Sequence, residues 1–454
     1  MGLRSLLAVA VVLSALLVCS APAHAVETGV NQTLGHTKPL PRTADRLGAD
    51  WVRLWASWQG MEPAQGQLSP HLVASLDAEV RALKARGVKV LVVVHRAPAW
   101  ASGGRGGTAP PSDPAAFARF MGRLARAVPG VDAWELWNEP DSGQFWAGGA
   151  DPPAYAALLR AAYPAIKAAQ TSDVVVTGGM VGNNFDFLAA LYANGARGAF
   201  DAVGVHTDTA CLTDGPDAYY RDPQGRVGRY TFSAYREVHQ VMADHGDAAK
   251  PIWMTELGWS TQGGRCPVGE KAGTKPLGVS PKRQARYLRA AYRCLAADPV
   301  IGVALWFGIQ DIRGSQHAGG FGLYRSGGRA KPAAKAFRKL DKGIRPRRGC
   351  GGYVDRTAPT IKVLSPSAGR RFTDKVSVRV RAYDNRGGTG IGRISMALDG
   401  EHVTSWRSRG SISPWWASAD WTPGVHTLTF TVKDRANNAT TTSVQVVKLR
   451  RGRG

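Results

Sequence analysis

The chain has 454 residues, 44% of them hydrophobic and 20% charged, and its 54 glycines and 27 prolines are dispersed rather than gathered into tracts. That composition supports a sizeable folded core of two to three domains and excludes a low-complexity or disordered polymer. The formal net charge of +24 is consistent with a generally basic soluble surface or with steering toward an anionic partner such as an acidic polysaccharide, a cell-wall polymer or nucleic acid. No zinc-finger, helix-turn-helix or RNA-binding signature accompanies that charge, so no nucleic acid is expected.

Residues 1–25 read as an export signal: Arg4 supplies the positive end, Leu6 to Val18 is apolar, and Ala23-His24-Ala25 is an A-x-A cleavage site. The apolar run is short for a bilayer span, so the expectation is a secreted, extracellular protein starting near Val26, monomeric and with cell-wall association as a further option. Cys19 leaves with the signal. The four remaining cysteines, Cys211, Cys266, Cys294 and Cys350, favour disulfides in an exported chain. No CxxC pair suggests zinc, and neither a metal nor a cofactor is expected.

From Val26 to about Leu340, short β-branched runs alternate with Ala-, Arg- and Leu-rich helical stretches. The strand candidates are Glu27–Asn31, Trp51–Ala56, Val88–His95, Asp132–Asn138, Val174–Gly178, Ala202–His206, Ile252–Glu256 and Val300–Phe307. Continuous apolar runs separated by helices indicate buried parallel strands. Helix candidates include Pro70–Arg86, Pro114–Val128, Pro153–Gln170, Phe185–Asn194, Phe232–His245 and Pro281–Ala297. Several open on a proline, whose missing N–H costs nothing in the first turn. Eight such repeats predict a (β/α)8 TIM barrel over 26–340; an open doubly wound sheet competes poorly, because no Gly-rich phosphate loop follows the first strand. Three cysteine pairings are possible. The topology favours Cys211–Cys266, on adjacent loops after strands six and seven, and Cys294–Cys350, on or beside neighbouring outer helices.

Residues 341–357 form a basic linker. From 358 to 448 the period changes to two, as in Val376, Val378 and Val380 or Leu428, Phe430 and Val432, which predicts a small all-β immunoglobulin-like sandwich. Residues 449–454 are a basic tail.

Two carboxylates stand at the C-terminal ends of predicted strands, where TIM-barrel enzymes gather their catalytic groups: Glu139 in Trp134-Glu135-Leu136-Trp137-Asn138-Glu139-Pro140, and Glu256 in Met254-Thr255-Glu256-Leu257-Gly258-Trp259. Strands four and seven lie on opposed parts of a barrel wall. Glycosidic cleavage needs such a facing pair, and a separation of about 5–5.5 Å permits direct attack with retention.

Asn138-Glu139-Pro140 with Thr255-Glu256 resembles the clan of (β/α)8 retaining glycosidases, closest to the β-xylosidase-like family 39 and its cellulase-like relatives. Trp51-Val52-Arg53, Glu62-Pro63-Ala64-Gln65-Gly66, Pro98-Ala99-Trp100-Ala101, Gly322-Leu323-Tyr324 and Lys331-Pro332-Ala333 extend the likeness over residues 27–340. The resemblance implies a secreted O-glycosyl hydrolase, xylosidase- or glucanase-like, acting on a β-linked polysaccharide or oligosaccharide. It implies Glu139 as acid/base, its pKa raised by the charge of Glu256, and Glu256 as nucleophile. Asn138 would bind the sugar 2-hydroxyl, Arg53 would hold Glu256 ionised, and His95, His206 and Trp306 would contact substrate, the tryptophan by stacking. Trp58, Trp100, Trp137, Trp146 and Trp259 are candidates for groove or packing. Relatives often carry a Tyr two positions after the strand-six His; here the run is His206-Thr207-Asp208, which leaves Tyr219 or Tyr220 as substitutes. The C-terminal part resembles bacterial immunoglobulin-like modules, with Trp406, Trp415, Trp416 and Trp421 as candidate platform or core residues. A catalytically silent glycan-binding or wall-associated protein on the same barrel is the alternative.

Overall fold

In the computed structural model, the described residues are 26–450 apart from 34–38, 208–210, 212, 267–272, 274, 314–316, 342, 348–356, 385–389, 409, 418–419 and 435–436. The segment expected to be an export signal, Asp208, Cys350, residues 451–454 and most of the linker therefore lie outside them.

Nine parallel strands follow one another around a barrel: β1 (Glu27–Asn31), β2 (Trp51–Ser57), β3 (Lys89–His95), β4 (Ala133–Leu136), β5 (Val174–Thr177), β6 (Met180–Val181), β7 (Val203–Thr207), β8 (Ile252–Leu257) and β9 (Ile301–Trp306). The short β6 continues β5 beyond a break at Gly178-Gly179. The ring closes between β5 and β7 through a parallel bridge of Val176 with Ala202 and a bond from Gly204 N to Thr177 Oγ1. The eight predicted strands all form, within one or two residues of their expected ends.

Helices α1 (Leu40–Leu47), α2 (Trp58–Met61), α3 (Pro70–Lys84), α4 (Pro114–Ala127), α5 (Pro152–Ala169), α6 (Phe185–Ala193), α7 (Tyr235–Asp244), α8 (Pro281–Leu295) and α9 (Pro332–Phe337) connect the strands. Ser69, Asp113, Asp151 and Ser280 accept first-turn N–H groups ahead of the prolines that open α3, α4, α5 and α8. Buried faces of these helices pack on the outside of the strands. Leu76, Val80 and Leu83 on α3 are examples, as are Phe117, Phe120, Met121 and Leu124 on α4.

The bore is filled by a separate apolar layer of Trp51, Leu91, Ala133, Val176, Ala202, Trp253, Val303 and Leu305. Trp51 and Trp253 meet edge to face with centroids 4.9 Å apart, leaving no room for a further side chain. A Cβ on Gly29 would lie 2.4 Å from Leu305 Cδ2 and 2.7 Å from Trp51 Cβ. Above this plug, toward the C-terminal ends of the strands, the inward positions turn polar, and the site is built there.

Of the two expected cysteine pairings, one falls wholly on described residues: Cys211 and Cys266 are bonded to each other, as the topology predicts. Cys294 is disulfide-bonded, and its expected pairing with Cys350 lies outside the described residues.

After α9 come β10 (Thr360–Ser365), β11 (Arg370–Phe372), β12 (Lys375–Ser377), β13 (Arg379–Tyr383), β14 (Ile391–Leu398), β15 (Glu401–Arg407), β16 (Ser411–Ile412), β17 (Trp415–Ala417), β18 (Gly424–Asp434) and β19 (Ala439–Lys448). They form sheets in the orders β10-β13-β16, β11-β19-β18-β14-β15 and β12-β17. Val376, Val378, Val380, Ile394, Met396, Leu428, Phe430, Val432 and Val446 make their core. Trp406, Trp416 and Trp421 pack against it partly buried, whereas Trp415 is 70% exposed.

Because the bore is full, Gly29→Ala is expected to cost about 1–3 kcal/mol by overpacking. The matched change Gly143→Ala, where a Cβ meets nothing within 4 Å, should be near neutral. Thermal unfolding of the two variants followed by circular dichroism checks this.

Candidate active site

Arg53 leaves β2 pointing into the barrel and is fully buried. All five of its N–H groups are used. Nε donates to Glu135 Oε2 at 2.6 Å and Nη2 to Glu135 Oε1 at 3.2 Å; Nη2 also donates to Asn138 Oδ1 at 2.8 Å; Nη1 donates to Asn31 Oδ1 and Glu256 Oε1, both at 2.9 Å. Five donors in a planar fork, each matched to an oxygen, is an arrangement available to arginine and not to lysine. Burial works against the guanidinium charge, but Glu135 and Glu256 outweigh it, so its pKa stays above the ordinary value.

Glu135 is the counter-ion that the sequence leaves unassigned. Besides Arg53, its Oε1 accepts from Gly179 N at 2.9 Å and Thr255 Oγ1 at 3.1 Å. Asn31, at the end of β1, passes the network on by donating to the carbonyls of Thr255 and Trp306. An acid and an arginine within two apolar buried strands must find each other, since an unpaired buried charge is costly. That was the available signal for Glu135.

Glu256 stands where β8 carries an extra residue. On one side the register runs Val205 with Met254, then His206 with Glu256; on the other Met254 pairs with Ala304 and Leu257 with Trp306. The resulting bulge at Thr255 lets Thr255 reach Glu135 and still brings Glu256 to Arg53; bulges beside active sites re-aim side chains in this way. Glu139 sits just past β4, where Trp137 (φ 76°) and Glu139 itself (φ 44°) occupy the left-handed region that L-residues avoid. Tyr155 fixes this turn: its hydroxyl donates to Leu136 O and accepts from Gly178 N, both at 2.6 Å.

His206 joins the two carboxylates. Its Nδ1 is 2.9 Å from Glu139 Oε1 and its Nε2 is 3.5 Å from Glu256 Oε1. One donor atom from each of the three residues can be chosen so that all lie within 4.8 Å of one another. Such a trio is geometrically able to hold a metal ion, but the Arg53 guanidinium already holds Glu256, and a second fixed cation there would meet its repulsion. The imidazole fits only because residue 179 is glycine: a Cβ there would stand 2.2 Å from the ring's Cδ2 and Nε2.

The electrostatics of the pair are unequal. Glu139 is pushed up to about 8, first by burial and then by the charge of Asp141, with Arg53 pulling the other way. The upward push thus comes chiefly from burial and Asp141 rather than from Glu256. Asp141 is itself buried and held by Asn184 Nδ2 at 2.7 Å, Val181 N at 3.1 Å and Arg229 Nη2 at 3.4 Å. Burial raises Glu256 too, and it stays raised although His206 and Arg53 pull the other way. Burial lowers His206, so the ring is neutral at physiological pH.

The other sequence candidates are placed as follows. His95, ending β3, is buried beside Trp55 (centroids 5.3 Å apart) and Phe145, and burial with the charges of Arg96 and Arg53 pushes its pKa down to about 3. Trp306 ends β9 wholly buried; its Nε1 donates to Phe321 O at 2.8 Å and its ring leans on Trp259, so it offers no exposed face to a sugar. Trp58, Trp137, Trp146 and Trp259 are likewise core, and Trp100 is half-buried with Nε1 donating to Glu62 O. Glu62 accepts from Trp58 Nε1, Gly66 N and Arg123, and Lys331 donates to Asp311, Thr261 and Gly320 O. Those two motifs therefore secure loops. Thr207, next to His206, donates to Asn183 Oδ1 at 2.7 Å. The ring of Tyr219 receives Arg221, and that of Tyr220 packs on Gly228.

An eight-stranded parallel barrel with two carboxylates converging at the C-terminal ends of opposed strands defines a glycoside hydrolase. The chain belongs to glycosyl hydrolase family 5, the cellulase family, whose model matches residues 20–265; a bacterial Ig domain model matches 359–430. Similar solved structures include a family 39 glycoside hydrolase from Bacteroides cellulosilyticus WH2, with 18% identity, TM-score 0.56, and coverage of 94% of this chain and 81% of that one. A GH5_18 from Streptomyces cattleya in complex with GlcNAc has 19% identity, TM-score 0.54, and coverage of 72% and 83%. A GH5_18 from Bifidobacterium longum subsp. longum in complex with Manb1-4GlcNAc has 16% identity, TM-score 0.51, and coverage of 70% and 78%. No curated protein sequence matches. The family is thus the cellulase-like one of the sequence resemblance, and family 39 returns among the structural neighbours.

Arg53→Lys is expected to lower stability by roughly 1–3 kcal/mol, because an ammonium cannot serve Glu135, Asn138, Asn31 and Glu256 together and leaves buried acceptors unpaired. Glycosidase activity should fall more steeply than stability at a temperature where the variant remains folded. Thermal unfolding measured beside initial rates tests this.

Proposed function

We propose that this protein is an exported retaining β-glycosidase that cleaves O-glycosidic bonds of a β-linked polysaccharide or oligosaccharide, with Glu139 as acid/base and Glu256 as nucleophile. The observation that supports the reading is that one oxygen of each carboxylate lies within 4.8 Å of the other's, an approach that fits the about 5–5.5 Å spacing of a retaining pair better than the about 6.5–9.5 Å of an inverting one.

The protonation pattern supplies the roles. Glu139, raised to about 8, keeps its proton at neutral pH and donates it to His206 Nδ1 until a glycosidic oxygen takes that place. His206, neutral, then carries its own proton on Nε2, facing Glu256. Arg53 contacts Glu256 and not Glu139, so negative charge is favoured on the nucleophile. In the first step a Glu256 oxygen bonds to the anomeric carbon while the bond to the leaving oxygen breaks and Glu139 transfers its proton to that oxygen. In the second step Glu139, now a carboxylate, takes a proton from water as the water oxygen displaces Glu256. Two inversions give net retention. Asn138, oriented by its bond from Arg53 Nη2, keeps its amide N–H groups for the sugar 2-hydroxyl. Export is supported by the N-terminal sequence and by cysteines held as disulfides.

A panel of β-glucans, β-xylans and aryl β-glycosides, with product stereochemistry followed by NMR, tests the reading. The expected result is initial release of the β-anomer, with Glu256→Gln reducing kcat by about 10⁴-fold or more, near 5.5 kcal/mol of barrel-top stabilisation lost. Release of the α-anomer overturns retention. Binding of glycan without hydrolysis by either protein would instead favour a silent glycan-binding barrel.

The pH profile is a separate check. A carboxyl raised to about 8 is protonated below that pH and ionised above it, so kcat/KM should fall tenfold per unit on the alkaline side, beginning near pH 8. Glu139→Gln should abolish that limb together with most of the activity on substrates with poor leaving groups.

A further inference from the structure

The five-stranded sheet of the C-terminal domain carries a row of unpaired cations. Arg393 of β14 stands directly opposite Arg407 of β15 on one side and Lys433 of β18 on the other. Their neighbours Ile394 and Val432 are wholly buried, so alternation puts all three cations on the outer face, and all three are exposed. None of them makes an ion pair or a side-chain hydrogen bond among the described residues. Like charges facing one another across adjacent strands are destabilising, and this row places three in succession at roughly 5 Å steps.

The row is also concave. It lines a groove of about 510 Å³ together with Ser395, Ser405 and His402. Among the described residues the one acid in its wall is Asp434, which is buried and accepts from the backbone and side chain of Asn438. Beyond the cations the same face continues as hydroxyls, with Ser395 opposite Thr431 and Ser405, and Thr429 and Thr431 bonded to Ser443 and Thr441.

We infer that this groove is a binding site for an anionic glycan, a polyhydroxylated polymer bearing regularly spaced carboxylates or phosphates, distinct from the barrel's site. Three cations in register fit successive anions along one strand, and the hydroxyl rows fit the polyol between them. Among the described residues no Trp, Tyr or Phe lines the groove, which disfavours single-stranded nucleic acid, whose bases need aromatic platforms. The choice of a glycan over other polyanions rests on the glycosidase reading of the barrel; the charged groove itself does not.

The test uses the full chain and the triple variant Arg393→Gln, Arg407→Gln, Lys433→Gln, titrated against polygalacturonate, a poly(glycerol phosphate) and a single-stranded oligonucleotide. Wild type is expected to bind at least one of the two polymers more tightly than the oligonucleotide. The triple variant should weaken that binding at least about tenfold at low salt and flatten the slope of log K against log salt by about 2–3. The two polymers separate carboxylate from phosphate recognition. A control that removes the same charge from the barrel surface, Lys335→Gln, Arg338→Gln, Lys339→Gln, should keep wild-type affinity, and the charge-retaining Arg393→Lys, Arg407→Lys variant should stay within about threefold of it. Hydrolysis of a neutral aryl β-glycoside, read in parallel, should be unchanged in the triple variant; its absence in every protein would sink the glycosidase reading without touching the groove. Equal loss in the barrel control, unchanged affinity in the triple variant, or preference for the oligonucleotide would overturn the proposal.

Discussion

The guanidinium of Arg53 is the constraint on which the active site depends. It is fully buried, its five N–H groups are all taken, and its partners come from β1, β4, β8 and the turn after β4. A buried charge is tolerated only when it is paired and fully hydrogen-bonded. Here that requirement and the catalytic one coincide, because the groups that satisfy Arg53 are those that must be held in place. Glu135 neutralises it. Asn138 and Glu256 are oriented by what remains of the fork. The unequal treatment of the two facing carboxylates follows: one rests against a fixed cation, the other beside Asp141 in a water-poor recess.

Holding those groups has local costs that the surrounding packing sustains. Trp137 and Glu139 adopt left-handed backbone, β8 gives up regular pairing at Thr255 on both of its sides, and Gly179 forgoes a side chain to admit His206. Strained backbone of this kind costs of order 1–3 kcal/mol per residue and persists where the structure around it is over-determined. The over-determination is visible in Tyr155, whose hydroxyl ties the end of β4 to the end of β5, and in the Trp51–Trp253 plug beneath. The plug also gives the polar layer a dry floor, which keeps its hydrogen bonds strong.

Most of the barrel was legible because its signals are local. Apolar runs such as Val88–His95 can be satisfied only between helices, Ser69-Pro70 and Ser280-Pro281 announce helix starts, and motif spacing placed Glu139 and Glu256 at strand ends. What escaped depends on three-dimensional company. Trp306 and four other tryptophans end strands or follow them, and the sequence does not say whether a loop folds over such a ring; here Phe321 and its neighbours cover Trp306. The break after β5 at Gly178-Gly179 was read as a strand end, since the demand for a residue without Cβ comes from His206, 27 positions later in the sequence. Glu135 was in view, but the partner that explains it lies 82 residues away.

The formal charge of +24 looks uniform in composition and is not uniform in use. In the barrel, Arg53, Lys84, Arg86, Lys89, Arg123, Lys167, Arg226 and Lys331 each face a carboxylate, so their charge is spent on structure. In the sandwich, Arg393, Arg407 and Lys433 face one another. A folded domain gains nothing in stability from that row, since glutamate at any one of the three positions would exchange repulsion for a cross-strand ion pair. The two arrangements therefore differ: these barrel cations are compensated, with Arg53 among them holding Glu256, whereas the three cations of the sandwich are not, which is the condition for an anion arriving from outside to find them.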